Sequence, residues 1–279
     1  MRRVIIIVLF FVIFLAGLSI LLYPTVSDYF NSIKHIQAVD RYLQAVNTLS
    51  ELDYSDILEA AKEYNERLRG KSNRFMMSEE EFAEYTGLLD PSGLGAMGVL
   101  EIEIINIRLP IYHGTDEAVL QAGLGHFIGS SLPIGGLGTH SVITGHRGLP
   151  SSMLLTNLDR VVIGDVFKLN VLNEILLYQV DQIKTVEPND LLELVIVRDK
   201  DYCTLLTCTP YGINTHRLLV RGHRVDNEET EDEEHQIYTE ARVVNKPIAA
   251  LLMLIPVTPA VLVILFIRLR RVYGRGKKR

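Results

Sequence analysis

Residues 202–221 read YCTLLTCTPYGINTHRLLVR, and this stretch decides the fold. Its first six residues, mostly aromatic, β-branched or aliphatic, predict a short buried strand. The residues TPYG at 209–212 follow, with proline second and glycine fourth as in a type I turn. Residues 217–221 then predict a return strand. A strand, a turn and a return strand would place Cys208 and Arg217 close together at one end of a sheet.

The two cysteines of this chain are predicted to have different roles. A cysteine at a strand end, near a cation and a histidine, can lose its proton near neutral pH and act as a nucleophile, although most free cysteines are buried core residues. Cys203 lies five residues before Cys208, so in a regular strand it faces the opposite side, about 16 Å away. A disulfide needs α-carbons about 5.5 Å apart. Cys203 is therefore predicted to fill the core, and Cys208 to be unpaired.

Among the eight histidines, His146 is the candidate proton carrier. It follows a predicted strand that Gly145 ends, on a loop bounded by Pro150. A histidine just past a strand end can lean over a neighbouring strand end. A histidine in isolation is more often a satisfied surface or core residue, but beside an unpaired cysteine it becomes a candidate base. No acidic partner is evident near these motifs.

Two uncharged apolar blocks, residues 4–23 and 248–267, contain twenty residues each. Each can cross a hydrocarbon layer of ~30 Å as a helix. Basic residues flank both blocks at the outer ends of the chain, so the positive-inside rule predicts cytoplasmic termini and an extracellular middle. The first block could instead be a cleaved signal peptide, but its length and the missing Ala-x-Ala site favour an uncleaved anchor.

The charge distribution limits the classes of partner. Nine of the 28 Lys and Arg residues lie at the two ends, and the remaining 19 face 34 Asp and Glu residues. A nucleic-acid partner is disfavoured because it requires a basic surface. Two cysteines that cannot pair suit a Gram-positive surface protein better than a disulfide-stapled secreted domain.

The middle of the chain divides into a helical part and a β-rich part. Apolar residues at three- and four-residue steps predict helix from Thr25 to about Gly70. Short strands with turns between them favour a closed or nearly closed barrel after residue 99. The predicted strands are 99–107, 109–112, 141–145, 161–171, 175–186, 202–207 and 216–225, with short helices at 117–123 and 190–194. The predicted organisation is an N-terminal membrane anchor (1–23), a helical segment with a possible lid loop (24–98), a β-barrel domain (99–225), an acidic linker (226–247), a C-terminal transmembrane helix (248–267) and a basic cytoplasmic tail (268–279).

Three motifs resemble the signature of the sortases. They are TGH at 144–146, TLLTC at 204–208 and Arg217 nine residues later. The resemblance covers roughly 99–225 and implies a mainly β fold, a closed barrel of about eight strands with short helices. The runs LPIYHGT at 109–115 and HSVITGHRGLP at 140–150, with the second predicted membrane span, resemble class C, the sortases that polymerise pilins.

The resemblance implies a membrane-anchored extracellular cysteine transpeptidase. Such an enzyme cleaves an LPxTG-like sorting signal between Thr and Gly through a thioacyl-enzyme, and transfers it to a pilin lysine amine. Cys208 would be the nucleophile, His146 the general acid and base, and Arg217 the residue that stabilises the substrate oxyanion. Substrate contacts are expected from Thr144, Leu206 and Thr207. The resemblance implies no metal and no cofactor.

One departure from the class C pattern concerns the lid, which usually carries Asp-Pro-aromatic. Here the Asp-Pro pair at 90–91 is followed by Ser92 and lies close to the first barrel strand, whereas NRF at 73–75 lies nearer the usual position without Asp or Pro. The lid candidates are Asn73, Phe75 and Asp90. Either the lid uses Phe75 without an anchoring carboxylate, or no lid is present.

Two alternative enzyme functions would use the same three residues, and one alternative function would use none of them. A wall-anchoring sortase would replace the pilin lysine with a peptidoglycan precursor amine. A cysteine protease would let water resolve the same acyl-enzyme. A non-catalytic, membrane-tethered pilus scaffold would make the combination of Cys208, His146 and Arg217 accidental.

Overall fold

The computed structural model describes residues 2–226. The predicted acidic linker beyond residue 226, the second membrane span and the basic tail lie outside the described residues. The described part consists of a long N-terminal helix, two shorter helices and a closed β-barrel.

The N-terminal helix α1 (Arg2–Asn47) contains the first apolar block and continues past it, with Pro24 inside the helix. It is the one helix among the described residues that is long and apolar enough to cross a membrane. Beyond the apolar block, one face of α1 packs on the barrel, and its buried positions recur at three- and four-residue steps. The buried residues of that face are His35, Val39, Tyr42 and Val46.

The prediction of continuous helix from Thr25 to Gly70 is wrong at one point, because the chain turns at residues 48–50. A second helix, α2 (Glu51–Arg69), begins there with Ser50 as its N-cap, whose side chain accepts a hydrogen bond from Asp53 N. The pattern Ser-x-x-Asp is a start signal that interrupts the periodicity. A third helix, α3 (Glu79–Gly87), follows the segment 71–78.

Eight strands form the closed barrel, as the resemblance implies. They are β1 (Ala96–Ile102), β2 (Ile107–His113), β3 (Leu124–His126), β4 (Thr139–Thr144), β5 (Val166–Val171), β6 (Glu174–Val186), β7 (Asp201–Thr209) and β8 (His216–Val225). The order around the barrel is β1-β2-β3-β4-β7-β8-β6-β5. A short helix, α4 (Glu117–Ala122), connects the parallel strands β2 and β3.

The predicted strand list differs from this barrel in three respects. The strand predicted at 99–107 ends at Ile102, because Glu103–Ile105 forms a 3-10 helix and Asn106 is left-handed with a φ of 51°, and β2 begins at Ile107. Strand β3 has only three residues, too few to show an alternating pattern, and was not predicted. The strand predicted at 161–171 begins only at Val166, because Leu158–Arg160 forms a 3-10 turn and residues 162–165 form another turn.

Alternation along β7 separates the barrel interior from its outer face. Cys203 and Leu205 belong to the main core inside the barrel, whereas Leu206 packs against a second cluster on the outside. We call this second cluster the outer cluster; it consists of Val142, Leu194 and Leu219 with the partly buried Phe75, Phe127, Val186, Leu191 and Leu206.

The direction of the strands defines two rims. Strands β4 and β7 are parallel and end together, and β8 begins beside the end of β7. We call this end of the barrel the Cys208 rim. The connections β1–β2, β4–β5 and β7–β8 lie there, since β1 is antiparallel to β2 and β5. The connection β3–β4 and the segment that enters β1 lie at the opposite rim.

Candidate active site

Cys208 and Arg217 are directly opposite each other on neighbouring strands. Strand β7 runs to Thr209, two residues beyond its predicted end, and Cys208 pairs with Arg217 of the antiparallel strand β8. Residues directly opposite in such a pair carry their side chains on the same face. The thiol and the guanidinium therefore share the outer face of the Cys208 rim.

The two cysteines differ in burial as predicted. Cys203 is completely buried, and this burial raises the pKa of its thiol well above the ordinary value. Cys203 is thus held as a neutral thiol in the core, where it cannot act as a nucleophile. Cys208 is partly exposed and unpaired.

The turn between these strands is not the predicted type I turn. The peptide bond between Thr209 and Pro210 is cis. The carbonyl of Pro210 accepts hydrogen bonds from Ile213 N and Asn214 N at 3.1 and 2.9 Å. Gly212 has a φ of 73°, which favours glycine at this position.

His146 is brought beside Cys208 by the strand that precedes it. Thr144 pairs with Leu206 in the parallel strands β4 and β7. The register is prolonged by Gly145, whose N–H donates to the Leu206 carbonyl at 3.2 Å. Continued two residues beyond the last pair, this register would bring His146 level with Cys208, on a neighbouring strand path about 4.8 Å away. His146, Cys208 and Arg217 would then form a row across three adjacent strand paths.

Among the predicted substrate contacts, Leu206 packs against the outer cluster and Thr144 is almost completely buried. Thr207 has another role than the expected substrate contact. Its buried hydroxyl donates a hydrogen bond to the Gly145 carbonyl at 2.8 Å. Thr207 thereby fastens the residue before His146 to the strand that carries Cys208.

Glu117 is a site residue that the sequence analysis missed. Its Oε2 lies 3.4 Å from Nε2 of His146, which is an ion-pair distance when the imidazole is protonated. The Nε2 atom is buried and makes no hydrogen bond, so the contact is electrostatic. Glu117 stands 29 positions before His146 in the chain, and only the crossover from β2 through α4 to β3 brings the two together.

Arg217 and Arg147 bring two guanidinium groups to the elements next to Cys208. Arg217 Nη1 donates to the carbonyls of Asn214 and His216 at 3.3 and 3.1 Å. No carboxylate lies within ion-pair distance of Arg217 among residues 5–226. Arg147, which is nearly buried, pairs with Asp159 and donates to Thr209 Oγ1 at 3.3 Å. Arg147 thus ties the loop of His146 to the residue after Cys208.

Phe75 lies on the outer cluster. Its ring meets the ring of Phe127 edge-on, with 5.8 Å between centroids, and packs against the cluster that includes Leu206. Phe127 N donates to the carbonyl of Val142, which pairs with Thr204 of β7. The residues that the ring contacts here are therefore level with Thr204, about 13 Å along the strand from Cys208. Phe75 therefore covers the apolar surface that leads to Cys208.

Arg74 anchors segment 71–78, which lacks the aspartate usual in a class C lid. Its Nη1 and Nη2 donate to the carbonyls of Gly129 and Leu194 at 2.9 and 2.5 Å. Its guanidinium also stacks 4.4 Å above the centroid of the Phe75 ring. Partial burial lowers the pKa of Arg74, but an arginine remains charged at neutral pH. The segment 71–78 is thus held by two charge-assisted hydrogen bonds in addition to the ring.

The other two lid candidates do not share the position of Phe75. Asp90 accepts hydrogen bonds from Leu94 N and Gly95 N at 3.1 and 2.8 Å, so both of its oxygens stabilise the turn before β1. In this structure Asp90 therefore holds the turn before β1. Asn73 is exposed, and its carbonyl accepts from Met76 N within a turn. Within the described residues, no group of three or more His, Cys, Asp or Glu side chains is arranged to hold a metal.

A partly exposed cysteine in line with a histidine and an arginine, at the rim of a closed barrel, defines a cysteine acyltransferase. Comparisons with known proteins identify the family. The family model described as the sortase domain matches residues 100–225. The crystal structure of sortase C1 from Streptococcus agalactiae is 52% identical, over 68% of this chain and 99% of that chain, with a TM-score of 0.67. The chain therefore belongs to the sortase family of cysteine transpeptidases, and among sortases it groups with class C.

Two further relatives support this grouping. The pilus-related sortase C of Group B Streptococcus is 36% identical, over 68% of this chain and 98% of that chain, with a TM-score of 0.59. Sortase D of Bacillus subtilis (strain 168) is 30% identical over 133 residues, which are 47% of this chain. The match spans 64% of that curated relative's length.

Proposed function

We propose that this protein is a membrane-anchored, extracellular class C sortase that polymerises pilins. It cleaves an LPxTG-like sorting signal between Thr and Gly and transfers the threonine carbonyl to a pilin lysine. The observation that carries this proposal is the row of His146, Cys208 and Arg217 across three adjacent strand paths in a sortase barrel. Its similarity to a pilus-related sortase supports the pilin as substrate.

The first half of the reaction forms the acyl-enzyme. The Cys208 thiolate attacks the threonine carbonyl, and the C–N bond to glycine breaks. Negative charge develops on the carbonyl oxygen, and a fixed guanidinium such as that of Arg217 can stabilise it by a few kcal/mol. Protonated His146 gives its proton to the leaving glycine amine. The products are a thioester on Cys208 and a neutral His146.

The second half transfers the acyl group to the acceptor. Neutral His146 removes a proton from the lysine ammonium or from the attacking amine, which adds to the thioester carbonyl. The C–S bond then breaks, so an isopeptide bond forms and the Cys208 thiolate is restored. Glu117 Oε2, 3.4 Å from Nε2 of His146, is at ion-pair distance from the imidazolium that forms in each cycle.

The outer cluster supplies the surface for the apolar residues of the sorting signal. It adjoins Cys208 through Leu206 and is covered by Phe75. An extended peptide whose scissile carbonyl reaches Cys208 would cross this surface, so it must displace the Phe75 ring. We propose that segment 71–78 acts as a lid over the peptide site, anchored by Arg74 and Phe75.

The N-terminal part of α1 is proposed to anchor the enzyme in the cell membrane. Its apolar side chains are exposed, and the block is long enough to cross the hydrocarbon layer. The basic residues at the extreme N-terminus predict a cytoplasmic end and an extracellular barrel. The predicted second span at 248–267 would place the C-terminus in the cytoplasm as well.

Incubation of the full-length protein with an LPxTG peptide and a pilin lysine peptide tests the proposal. Mass spectrometry should show an isopeptide-linked product and an acyl adduct on Cys208, and neither should form with Cys208→Ala. Hydrolysis that the lysine peptide does not alter would indicate a protease instead. Preference for a peptidoglycan precursor amine over every pilin lysine would indicate a wall-anchoring sortase. Unchanged activity of Cys208→Ala would refute the assigned nucleophile.

A further inference from the structure

Helix α1 joins the apolar block directly to the loop that carries His146. Asn31 Nδ2 donates to the Ser151 carbonyl at 2.8 Å, and Met153 N donates to Asp28 Oδ1 at 2.8 Å. The buried ring of His35 reaches Ser152 Oγ at 3.3 Å. These three contacts lie on one helix face, since residues 28, 31 and 35 are three and four positions apart.

The other end of α1 contacts the opposite rim. The hydroxyl of Tyr42 donates to the Met97 carbonyl and accepts from Leu172 N, at 3.2 and 2.7 Å. Met97 is the second residue of β1 and Leu172 follows β5, and both positions lie at the rim opposite Cys208. Helix α1 therefore runs along the barrel wall from the Cys208 rim to the opposite rim. Its apolar N-terminal block projects beyond the barrel at the Cys208 rim.

The distance from the apolar block to the barrel is short. Asp28, which accepts a hydrogen bond from the loop at Met153, is five residues beyond the end of the block at Tyr23. At about 1.5 Å per helical residue, this separation is about 8 Å. An uninterrupted helix of this length leaves no room for a flexible linker, so the Cys208 rim stands next to the membrane interface when α1 spans the bilayer.

The loops at this rim expose large apolar side chains. On the β7–β8 connection, Tyr211 and Ile213 are 60% and 68% exposed, and on the β4–β5 connection Ile163 is 67% exposed. The two connections adjoin, because a Cβ on Gly148 would lie 3.1 Å from the Tyr211 ring. Single exposed apolar residues are common, but here they occur at the rim that α1 holds towards the bilayer. Tyrosine and aliphatic side chains are suited to the lipid interface.

We propose that the Cys208 rim is a membrane-facing surface, and that residues 162–163 and 211–213 rest in the outer lipid interface. The inference rests on the proposed anchoring by α1. The active site then opens beside the bilayer, at a height set by the short helical spacer of α1.

Fluorescence quenching in liposomes tests which rim faces the lipid. Full-length Cys208→Ala protein, in which the buried Cys203 does not react, receives one new cysteine for a fluorophore. The test positions are Ile213→Cys and Ile163→Cys on two different loops. The matched control is Leu137→Cys, 71% exposed on the β3–β4 connection at the opposite rim. Ile20→Cys in α1 reports insertion of the anchor. The liposomes contain phosphatidylcholine and phosphatidylglycerol with a nitroxide-labelled lipid as quencher.

We expect nitroxide lipid to quench the labels at 213, 163 and 20 at least threefold more strongly than the label at 137. A water-soluble quencher should give the reverse order. Strong quenching at 20 with equal, weak quenching at 213, 163 and 137 would overturn the membrane-facing rim and leave the anchoring intact. Absence of quenching at 20 would overturn the anchoring by α1 and, with it, this inference; the transpeptidase assay on soluble peptides would still stand or fall independently.

Discussion

Truncation of Phe75 to alanine should make the peptide site easier to enter. In the closed state the ring is half-buried against Phe127 and the outer cluster, with Arg74 stacked above it. A phenylalanine can bury roughly 200 Å², so about 100 Å² of apolar surface is lost on truncation. At about 25 cal/mol per Å², the closed state loses about 2 to 3 kcal/mol.

This free energy sets the size of the expected effect. A loss of 2 to 3 kcal/mol changes the ratio of closed to open lid by a factor of roughly 30 to 150. If peptide binds only the open state, the apparent affinity rises by up to that factor. We therefore expect KM for an LPxTG peptide to fall at least about tenfold in Phe75→Ala, with kcat within about twofold of the wild-type value.

Two measurements make this reasoning refutable. Steady-state kinetics of Phe82→Ala are the matched control, because Phe82 lies on α3 beside Tyr85 and outside the outer cluster; its KM should not change. Alkylation of Cys208 by a small reagent should accelerate less than about tenfold in Phe75→Ala, since the ring contacts residues that are about 13 Å along the strand from the thiol. An unchanged or raised KM in Phe75→Ala would show that Phe75 does not occupy the peptide site.

Four further predictions follow from other contacts. Gly129→Ala should lower KM as Phe75→Ala does, because the added Cβ would lie 2.3 Å from the Arg74 carbonyl and displace segment 71–78. The control Gly136→Ala, also at positive φ but with open space around it, should leave KM unchanged. Equal KM values in the two variants would rule out the lid contact. Glu117→Gln should lower kcat about three- to tenfold with KM unchanged, and a wild-type kcat would remove Glu117 from the mechanism. Arg217→Lys should lower kcat at least about tenfold while peptide binding measured by calorimetry is retained, because the planar two-pronged donor is lost; wild-type turnover would make Arg217 a structural residue. Burial lowers the pKa of His126 and of His140 from 6.5 to about 4. Below pH 6.5 the unfolded chain therefore binds more protons than the folded one, and urea unfolding should give a free energy of unfolding about 2 to 3 kcal/mol lower at pH 5.5 than at pH 7.5. Equal free energies at the two pH values would contradict the burial of both rings in the neutral form.

The relation of Cys208 to Arg217 could be predicted because it is local. A short connection between two apolar runs places the end of one strand beside the start of the next, and the register follows from the loop length. His146 was a candidate from its place past a strand end, but its position beside β7 could not be predicted locally, since the parallel pairing of β4 with β7 joins residues 62 positions apart. The cis bond before Pro210 left no signal in the turn pattern that distinguishes it from a trans turn.

Glu117 and Arg74 show what the sequence could not indicate. Each acts through a partner that is distant in the chain: His146 for Glu117, and the carbonyls of Gly129 and Leu194 for Arg74. Carbonyl acceptors carry no sequence signature, because every residue has one. The sequence of segment 71–78 shows the missing aspartate but not the hydrogen bonds from Arg74 to backbone carbonyls, which only the tertiary structure forms.

The hydrogen bond from Thr207 to Gly145 has a consequence for how the TLLTC motif tolerates change. The inward positions 203, 205 and 207 are constrained by the volume of the core and by this one hydroxyl. The outward positions 206 and 208 are constrained by the proposed substrate contact and by the chemistry of the thiol. Because inward and outward positions alternate along β7, a substitution in one set can leave the neighbouring residues of the other set unchanged. Variation across relatives that differ in sorting signal would then concentrate at position 206, and a change at 207 would disturb catalysis while leaving the choice of signal untouched.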